Sequence, residues 1–232
     1  MIYVYCQRDS EGAEAIVTEI NATGGRAARL RYVQPTEPGL VVCWGASYPK
    51  GWPTDGFKFL NKDYVGDKLT ELCKLRDAGV PVPDFGEEPR SGWLARLLHH
   101  REASDLLRDL REGDYYVEYV PCDVEFRIHV VDGVSARAGL KVPRTDDPHP
   151  RFRAWRAGWK ITYGGACQRV LTQAVRDVAK AAVRAVGYDF GAVDVVLRRD
   201  GRPVVLEVNS APGLEGRTVE VYAKKFTAIC SG

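Results

Sequence analysis

Three oxygen-bearing side chains sit inside an apolar stretch near the end of the chain. The stretch is GAVDVVLRRDGRPVVLEVNSAPGLEG, residues 191–216, and the side chains are Asp194, Glu207 and Asn209. It reads as two short strands joined by a turn at Asp200-Gly201. Residues two apart on a strand share a face, so Glu207 and Asn209 lie side by side. Asp194 comes from the preceding strand, which lets the three oxygens converge on one face. Two carboxylates and an amide carbonyl, with no soft ligand, suit Mg²⁺ or Mn²⁺. A magnesium site with few protein ligands completes its octahedron with water and substrate phosphates, so the motif asks for a nucleotide. The run VVLEVN is otherwise apolar on both faces, and an acid there is costly unless a cation faces it.

The elements that must carry these residues alternate between strand and helix. Residues 2–6 and 39–45 read as strands, and 10–23 as a helix capped by Ser10 and stopped by Gly24-Gly25, which makes a βαβ unit. Residues 47–61, with Pro49, Gly51, Pro53 and Gly56, form a turn-rich junction. A helix is expected over 65–79 with Leu69, Leu72 and Leu75 inward, then an extended VPVP segment. Strands follow at 92–98 and 114–120, with a short helix at 104–113 between them. Residues 125–133 and 134–142 make a hairpin around Asp132-Gly133. Residues 143–160, with three prolines, read as a mobile loop, and loops longer than about 12–15 residues are usually functional or disordered. Residues 167–187 give the clearest helix, with Leu171, Val175, Val178, Ala182 and Val186 inward, and 218–229 the last one.

The closing stretch resembles that of the ATP-grasp ligases, the superfamily of D-alanine–D-alanine ligase, glutathione synthetase and the ligases that add glutamate to a ribosomal protein. The shared pattern is an acid on one strand, then Glu-x-Asn-x-x-Pro-Gly on the next. Further upstream, GDKLTELCKLRDAGVPVP (66–83) is similar to the family's Asp-Lys-Leu helix and YYVEYVPCDVEFRIHV (115–130) to its hinge between two lobes. The resemblance implies an α/β ATP-grasp fold with ATP held between two lobes. It implies a small leading α/β domain over 1–60, the small lobe and hinge over 61–120, and the C-terminal lobe with the metal site over 121–232. The brevity of the chain fits a compact phage or bacterial member.

Carried over by position, the resemblance gives Lys68 the ATP phosphates. Glu118, Tyr119 and Val120 would meet the adenine edge, and Glu125 the ribose hydroxyls. Asp194, Glu207 and Asn209 would hold the metal. Arg96 stands where many members have a second phosphate lysine, but the loop after it, HHREAS, has no glycine to let backbone N–H groups approach a phosphate. D-alanine ligases place an arginine two residues before the metal Asp, and this chain has Ala192 there. Arg156 is the favoured replacement, with Arg153 second and Arg127 next.

These expectations describe an ATP- and Mg²⁺-dependent ligase that joins a carboxylate to an amine or similar nucleophile through an acylphosphate. The partners would be small-molecule carboxylate and amine substrates or a peptide acceptor. A second reading keeps ATP binding in a scaffold or regulatory protein that has lost ligation. A third makes the acceptor a nucleic acid or an acidic peptide, because residues 141–185 hold ten Lys and Arg against three Asp. The net charge of +2 is too small to argue for nucleic acid by itself. Six cysteines without a CxxC pair argue against zinc and for reduced thiols, and with no signal peptide or membrane-length apolar run the expected location is the cytoplasm. No Ser-His-Asp order is visible, and the four histidines show no metal-ligand spacing beyond the adjacent His99 and His100.

Overall fold

The computed structural model describes residues 1–98 and 112–232. The glycine-poor loop at 99–104, with His99, His100 and Arg101, and nearly all of the helix expected at 104–113 lie outside them.

The first 60 residues build a four-stranded parallel sheet in the order β2-β1-β3-β4, from Ala27–Leu30, Ile2–Tyr5, Leu40–Cys43 and Lys58–Leu60. Helix α1 (Glu11–Ala22) starts where Ser10 accepts from the Ala13 amide and stops at Gly24, whose φ of +85° ends it. Two of these strands differ from the sequence expectation. β2 follows the helix stop directly and is tied to it by Asn21, whose side chain both accepts from and donates to the backbone of Ala27. β4 ends the segment expected to be a junction, and its three residues are too few to show a period. Thus the crossover from β1 leads to β2 on one side, and β3 lies on the other.

A three-stranded antiparallel sheet, β5-β7-β6, uses Phe85–Gly86, Tyr115–Glu118 and Trp93–Arg96. Helix α2 (Lys68–Asp77) packs Leu72 against Tyr115 and Val117. Residues 119–123 then lead into a five-stranded antiparallel sheet in the order β10-β9-β8-β11-β12, from Trp159–Tyr163, Val134–Pro143, Val124–Val131, Phe190–Leu197 and Pro203–Asn209. The β8/β9 hairpin turns at Asp132 and Gly133, both at positive φ, as an Asp-Gly hairpin requires.

The expected helix over 167–187 is two helices, α3 (Gly165–Val170) and α4 (Gln173–Ala185). The break falls at Leu171-Thr172, because Thr172 caps α4 by accepting from the Val175 amide and therefore leaves the helical conformation. Val175, Val178, Ala182 and Val186 are buried as expected, while Leu171, at the break, is only half-buried.

The mobile loop expected at 143–160 is also more regular than its prolines suggest. Its end becomes β10, paired with β9 from Trp159 opposite Pro143 to Tyr163 opposite Gly139. The connection is braced by the His149 amide donating to Ala157 and the Trp159 indole donating to the His149 carbonyl.

Two packings fix the polar face of the large sheet. Helix α4 covers one side, burying Val175, Val178, Ala179 and Ala182 against Phe126, Ile128, Val193, Val195 and Val205. Each of the valine, isoleucine and phenylalanine side chains contributes about 1.5–3 kcal/mol. Alternation along the strands then sends every second residue to the opposite face. Helix α5 (Arg217–Ser231) joins the leading sheet to the large one: Tyr222 and Phe226 pack with Ile16, Ile20, Trp44 and Phe190, and Trp44 stacks on Phe190 at 5.4 Å. Asn61, at φ 53°, adds a polar clamp, accepting from the Asp189 amide and donating to the Phe190 carbonyl at the start of β11.

Candidate active site

The strand face opposite α4 carries the charged residues in rows. Pairing places Asp194 between Arg127 on β8 and Glu207 on β12. Arg127 donates Nε to Oδ1 of Asp194 at 2.7 Å and a terminal nitrogen to Oδ2 at 2.8 Å. On the next row outward, Glu125 meets Lys141 of β9, whose Nζ also reaches Oδ2 of Asp194 at 2.8 Å. Lys68, the first residue of α2, points Nζ at Glu207 (3.4 Å) and Glu71 (3.6 Å). Asn209 donates Nδ2 to Oε1 of Glu207 at 2.7 Å. Eight side chains from α2, β8, β9, β11 and β12 thus form one lattice of alternating charge.

Local structure puts Lys68 there. Asp67 caps α2 by accepting from the Thr70 amide at 2.7 Å, which fixes Lys68 in the first turn. Glu71, one turn on, accepts from the Val208 amide at 2.9 Å and so ties α2 to the strand between Glu207 and Asn209.

The electrostatics follow from burial against pairing. Burial opposes the charge on Glu207, but Lys68 and then Arg127 outweigh it and hold its pKa well below the usual carboxylate range. Asp194 is likewise lowered, burial being overcome by Arg127 and Lys141. Glu125 and Glu71 go the other way: burial dominates and raises both despite their lysines. Burial opposes the charge on Lys68 too, yet Glu207 and Glu71 raise its pKa.

A divalent cation fits this donor set. Asp194 and Glu207 oppose each other on paired strands, Asn209 is two residues further, and all available donors are hard oxygens once the Asn209 amide turns its carbonyl inward. Among the described residues no three His, Cys, Asp or Glu side chains cluster so as to hold a metal ion.

The structure brings Lys68, Glu125, Arg127, Asp194, Glu207 and Asn209 together, and it separates the remaining candidates. The Glu118 carboxylate takes a bidentate pair from Arg198 (3.0 and 2.7 Å) and accepts from the Asp84 amide, and the Glu118 amide donates to the Asp84 carbonyl at 2.7 Å. Tyr119 has Arg151 over its ring at 4.6 Å, and Val120 is buried against Val196 and Val204. Arg96 is half-buried on β6, and Arg156 is exposed on a 3₁₀ turn (Trp155–Ala157); each already has a partner. Arg153 lies over Trp159 and donates to the carbonyls of Cys122 (2.6 Å) and Asp123 (3.3 Å), so it fastens the 144–158 connection to the 119–123 segment. Arg127 does not pair with Glu125 on its own strand but with Asp194 on the next.

Two site residues escaped the sequence reading: Lys141 and Glu71. The signal for the first was a lysine in the otherwise apolar run GLKV of a hairpin strand, but it comes opposite an acid only because a bulge at His129/Val130 shifts the register set by the turn.

No protein-family profile matches the chain. It is 50% identical over 174 residues to the "Probable alpha-L-glutamate ligase 1" of Shewanella sp. (strain ANA-3), a match covering 65% of this chain and 57% of the relative. The corresponding protein of Shewanella oneidensis is 48% identical over the same length. The chain therefore spans little more than half the length of these curated relatives. Among solved structures, the ATP-grasp ligase PsnB complexed with minimal precursor, Mg and ADP superposes with a TM-score of 0.70 at 17% identity, over 98% of this chain and 96% of that one. The macrocyclase MdnC bound with precursor peptide MdnA, from Microcystis aeruginosa, gives 0.60 at 14% identity, over 100% and 99%. A RimK domain ATP-grasp protein from Sphaerobacter thermophilus gives 0.62 at 17%, again over 100% and 99%.

Proposed function

We propose that the chain, which shares its fold with ATP-grasp ligases and is similar in sequence to curated glutamate ligases, is an ATP-dependent ligase of that superfamily that joins a carboxylate to an amine through an acylphosphate. The observation that carries this reading is the row Arg127–Asp194–Glu207, with Lys68 and Lys141 on either side. Two acids facing each other under three half-buried cations are what a site for a nucleotide's metal and phosphates needs.

In the proposed site Asp194, Glu207 and Asn209 hold Mg²⁺ or Mn²⁺, which when bound neutralises phosphate charge and lowers the repulsion felt by an anionic attacker. Lys68 leaves Glu207 for the ATP phosphates, and Glu71 remains beside it. Lys141 and Arg127 supply fixed positive charge next to the reacting carboxylate, where preorganised charge acts most strongly in a water-poor site. Glu125 takes the ribose hydroxyls, and the backbone at 118–120 takes the adenine edge. Arg153 holds the 144–158 connection, and Arg156 is carried by it. Arg96 is the second phosphate contact from the small sheet.

The reaction balances simply. The substrate carboxylate oxygen attacks the γ-phosphorus and ADP leaves. The amine then attacks the acyl carbon, phosphate leaves, and the amine's extra proton passes to solvent. The protein contributes position and charge and needs no nucleophile of its own.

The solved neighbours bound with precursor peptides favour a peptide as one of the two partners. No described helix is long and apolar enough to cross a membrane. A screen of amino acids, amines and peptides for ADP release, with products identified by mass spectrometry, tests the proposal. Joined product from the wild type and none from Glu207→Gln is expected. ATP binding without ADP release for any pair would instead support the scaffold reading.

A further inference from the structure

β12 is an edge of the large sheet, so its outward amides have no strand to pair with. Two of them find substitutes. The Val205 amide donates to the Pro81 carbonyl at 2.8 Å, and the Val208 amide to Oε1 of Glu71 at 2.9 Å. Glu71 therefore stands in for a strand at the one residue between Glu207 and Asn209. It does so from the first turn of α2, three residues after Lys68. A carboxylate is more than this task requires. One amide needs one neutral acceptor, and a buried charge costs more than a single hydrogen bond returns. Glu71 is only 4% exposed, so its charge answers to something besides Val208.

That partner is Lys68. Its Nζ is 3.6 Å from the same Oε1 of Glu71 and 3.4 Å from Oε2 of Glu207, so the ammonium is shared almost evenly between two acids. Asp67 fixes the backbone at Lys68 by capping α2, and side-chain rotation alone carries the ammonium from one acid to the other. In the proposed site Glu207 turns to the metal. With Glu207 as its sole acid, the half-buried ammonium would then be left unpaired, which is costly away from bulk water. With Glu71 beside it, the charge keeps a partner at every stage.

We infer that Glu71 is a positioning residue for the proposed reaction: its carboxylate holds the Lys68 ammonium at the site while Glu207 is given over to the metal. Its action passes through Lys68 and needs no contact with metal or nucleotide. A Glu71 that only braced the edge strand would need an acceptor oxygen for Val208, and glutamine supplies one. A Glu71 that holds Lys68 needs its charge. Aspartate keeps that charge on a side chain one methylene shorter, which cannot span both partners. The two substitutions therefore separate the two roles.

This rests on the ligase reading, in which Glu207 holds the metal, but its test does not need turnover. A non-hydrolysable ATP analogue is titrated calorimetrically into the full chain, once with saturating Mn²⁺ and once with a chelator. The readout is the gain in affinity that Mn²⁺ confers. Glu71→Gln should cut that gain roughly 3–10-fold, with metal-free affinity within about twofold of the wild type and a melting temperature within a few degrees of it. Glu71→Asp should keep most of the gain and melt lower, because it gives up the Val208 amide. In a Lys68→Met background, Glu71→Gln should leave the gain unchanged. An unaltered gain in Glu71→Gln overturns the role, as does the same cut in the Lys68→Met background, which would mean that Glu71 acts on the metal by its own field. A collapse of the melting temperature in Glu71→Gln also overturns it, since the charge would then serve the fold. A wild type with no gain from Mn²⁺, or a gain that survives Glu207→Gln, would sink the metal site itself and this role with it. A gain that needs Glu207 but is indifferent to Glu71→Gln would sink this role alone.

Discussion

Arg127 grips Asp194 with two hydrogen bonds of 2.7 and 2.8 Å, across adjacent strands of the large sheet. Both side chains are mostly removed from water. Deleting one partner of such a pair strands the other's charge. Arg127→Met should therefore cost about 3–5 kcal/mol of stability, moderated by Lys141, which still faces Asp194. Denaturant unfolding with an unchanged slope measures this. A loss below about 1 kcal/mol would mean that water reaches the pair.

Glu207→Gln keeps the shape and removes the charge. Lys68 retains Glu71 as a partner, so the fold should survive with a melting temperature near that of the wild type. Divalent-dependent ADP release should disappear. Residual turnover that still needs Mg²⁺ would move the metal ligand elsewhere.

Glu125→Gln removes one of the two acids, Glu125 and Asp194, that share Lys141. If Glu125 takes the ribose hydroxyls, ATP binding should weaken by about 1–3 kcal/mol, the scale of a charged hydrogen bond. Calorimetry with a deoxyribose analogue gives the control: the variant and the missing hydroxyl should not be additive.

His129 sets part of the acid limit of stability. Its folded pKa of about 3 lies below its ordinary value of 6.5. Between those values the unfolded chain binds the proton and the folded chain does not. Stability from this group is thus complete above about pH 6.5 and falls as pH drops toward 3, by up to about 1.4 kcal/mol per pH unit. His129→Asn should flatten the stability profile between about pH 6 and 4. The raised carboxylates Glu125 and Glu71 act with the opposite sign but are common to both proteins, so the difference curve isolates the histidine.

Arg153 should behave as a fastener. Arg153→Ala frees the carbonyls of Cys122 and Asp123 and uncovers Trp159. Limited proteolysis should cut residues 144–158 several-fold faster, with ATP affinity little changed. Equal cutting rates would show that the backbone bonds at His149 and Trp159 hold the segment alone.

Local chemistry was the readable part. The Ser10 cap of α1, the Asp132-Gly133 turn and the spacing from Glu207 to Asn209 are properties of a few adjacent residues, and each stands where its spacing put it. What escaped depends on partners far along the chain. Lys141 looks like any strand lysine until the hairpin register sets it opposite Glu125. Glu71 looks like an ordinary i,i+3 partner for Lys68, while its amide partner Val208 lies 137 residues away. β2 and β4 are too short for a period to emerge, and the break between α3 and α4 depends on one threonine choosing to cap rather than continue.

The lattice of Lys68, Arg127 and Lys141 with Glu71, Glu125, Asp194 and Glu207 has a consequence for the sequence of events. Each carboxylate that would hold a metal already owns a counter-ion from the protein. A bare divalent cation must therefore compete with an ammonium or guanidinium already in place. A nucleotide that arrives with its cation brings phosphates to receive the evicted lysines, so the exchange is of ions for ions. The resting site is its own placeholder, and it should favour entry of the metal and nucleotide as a single unit.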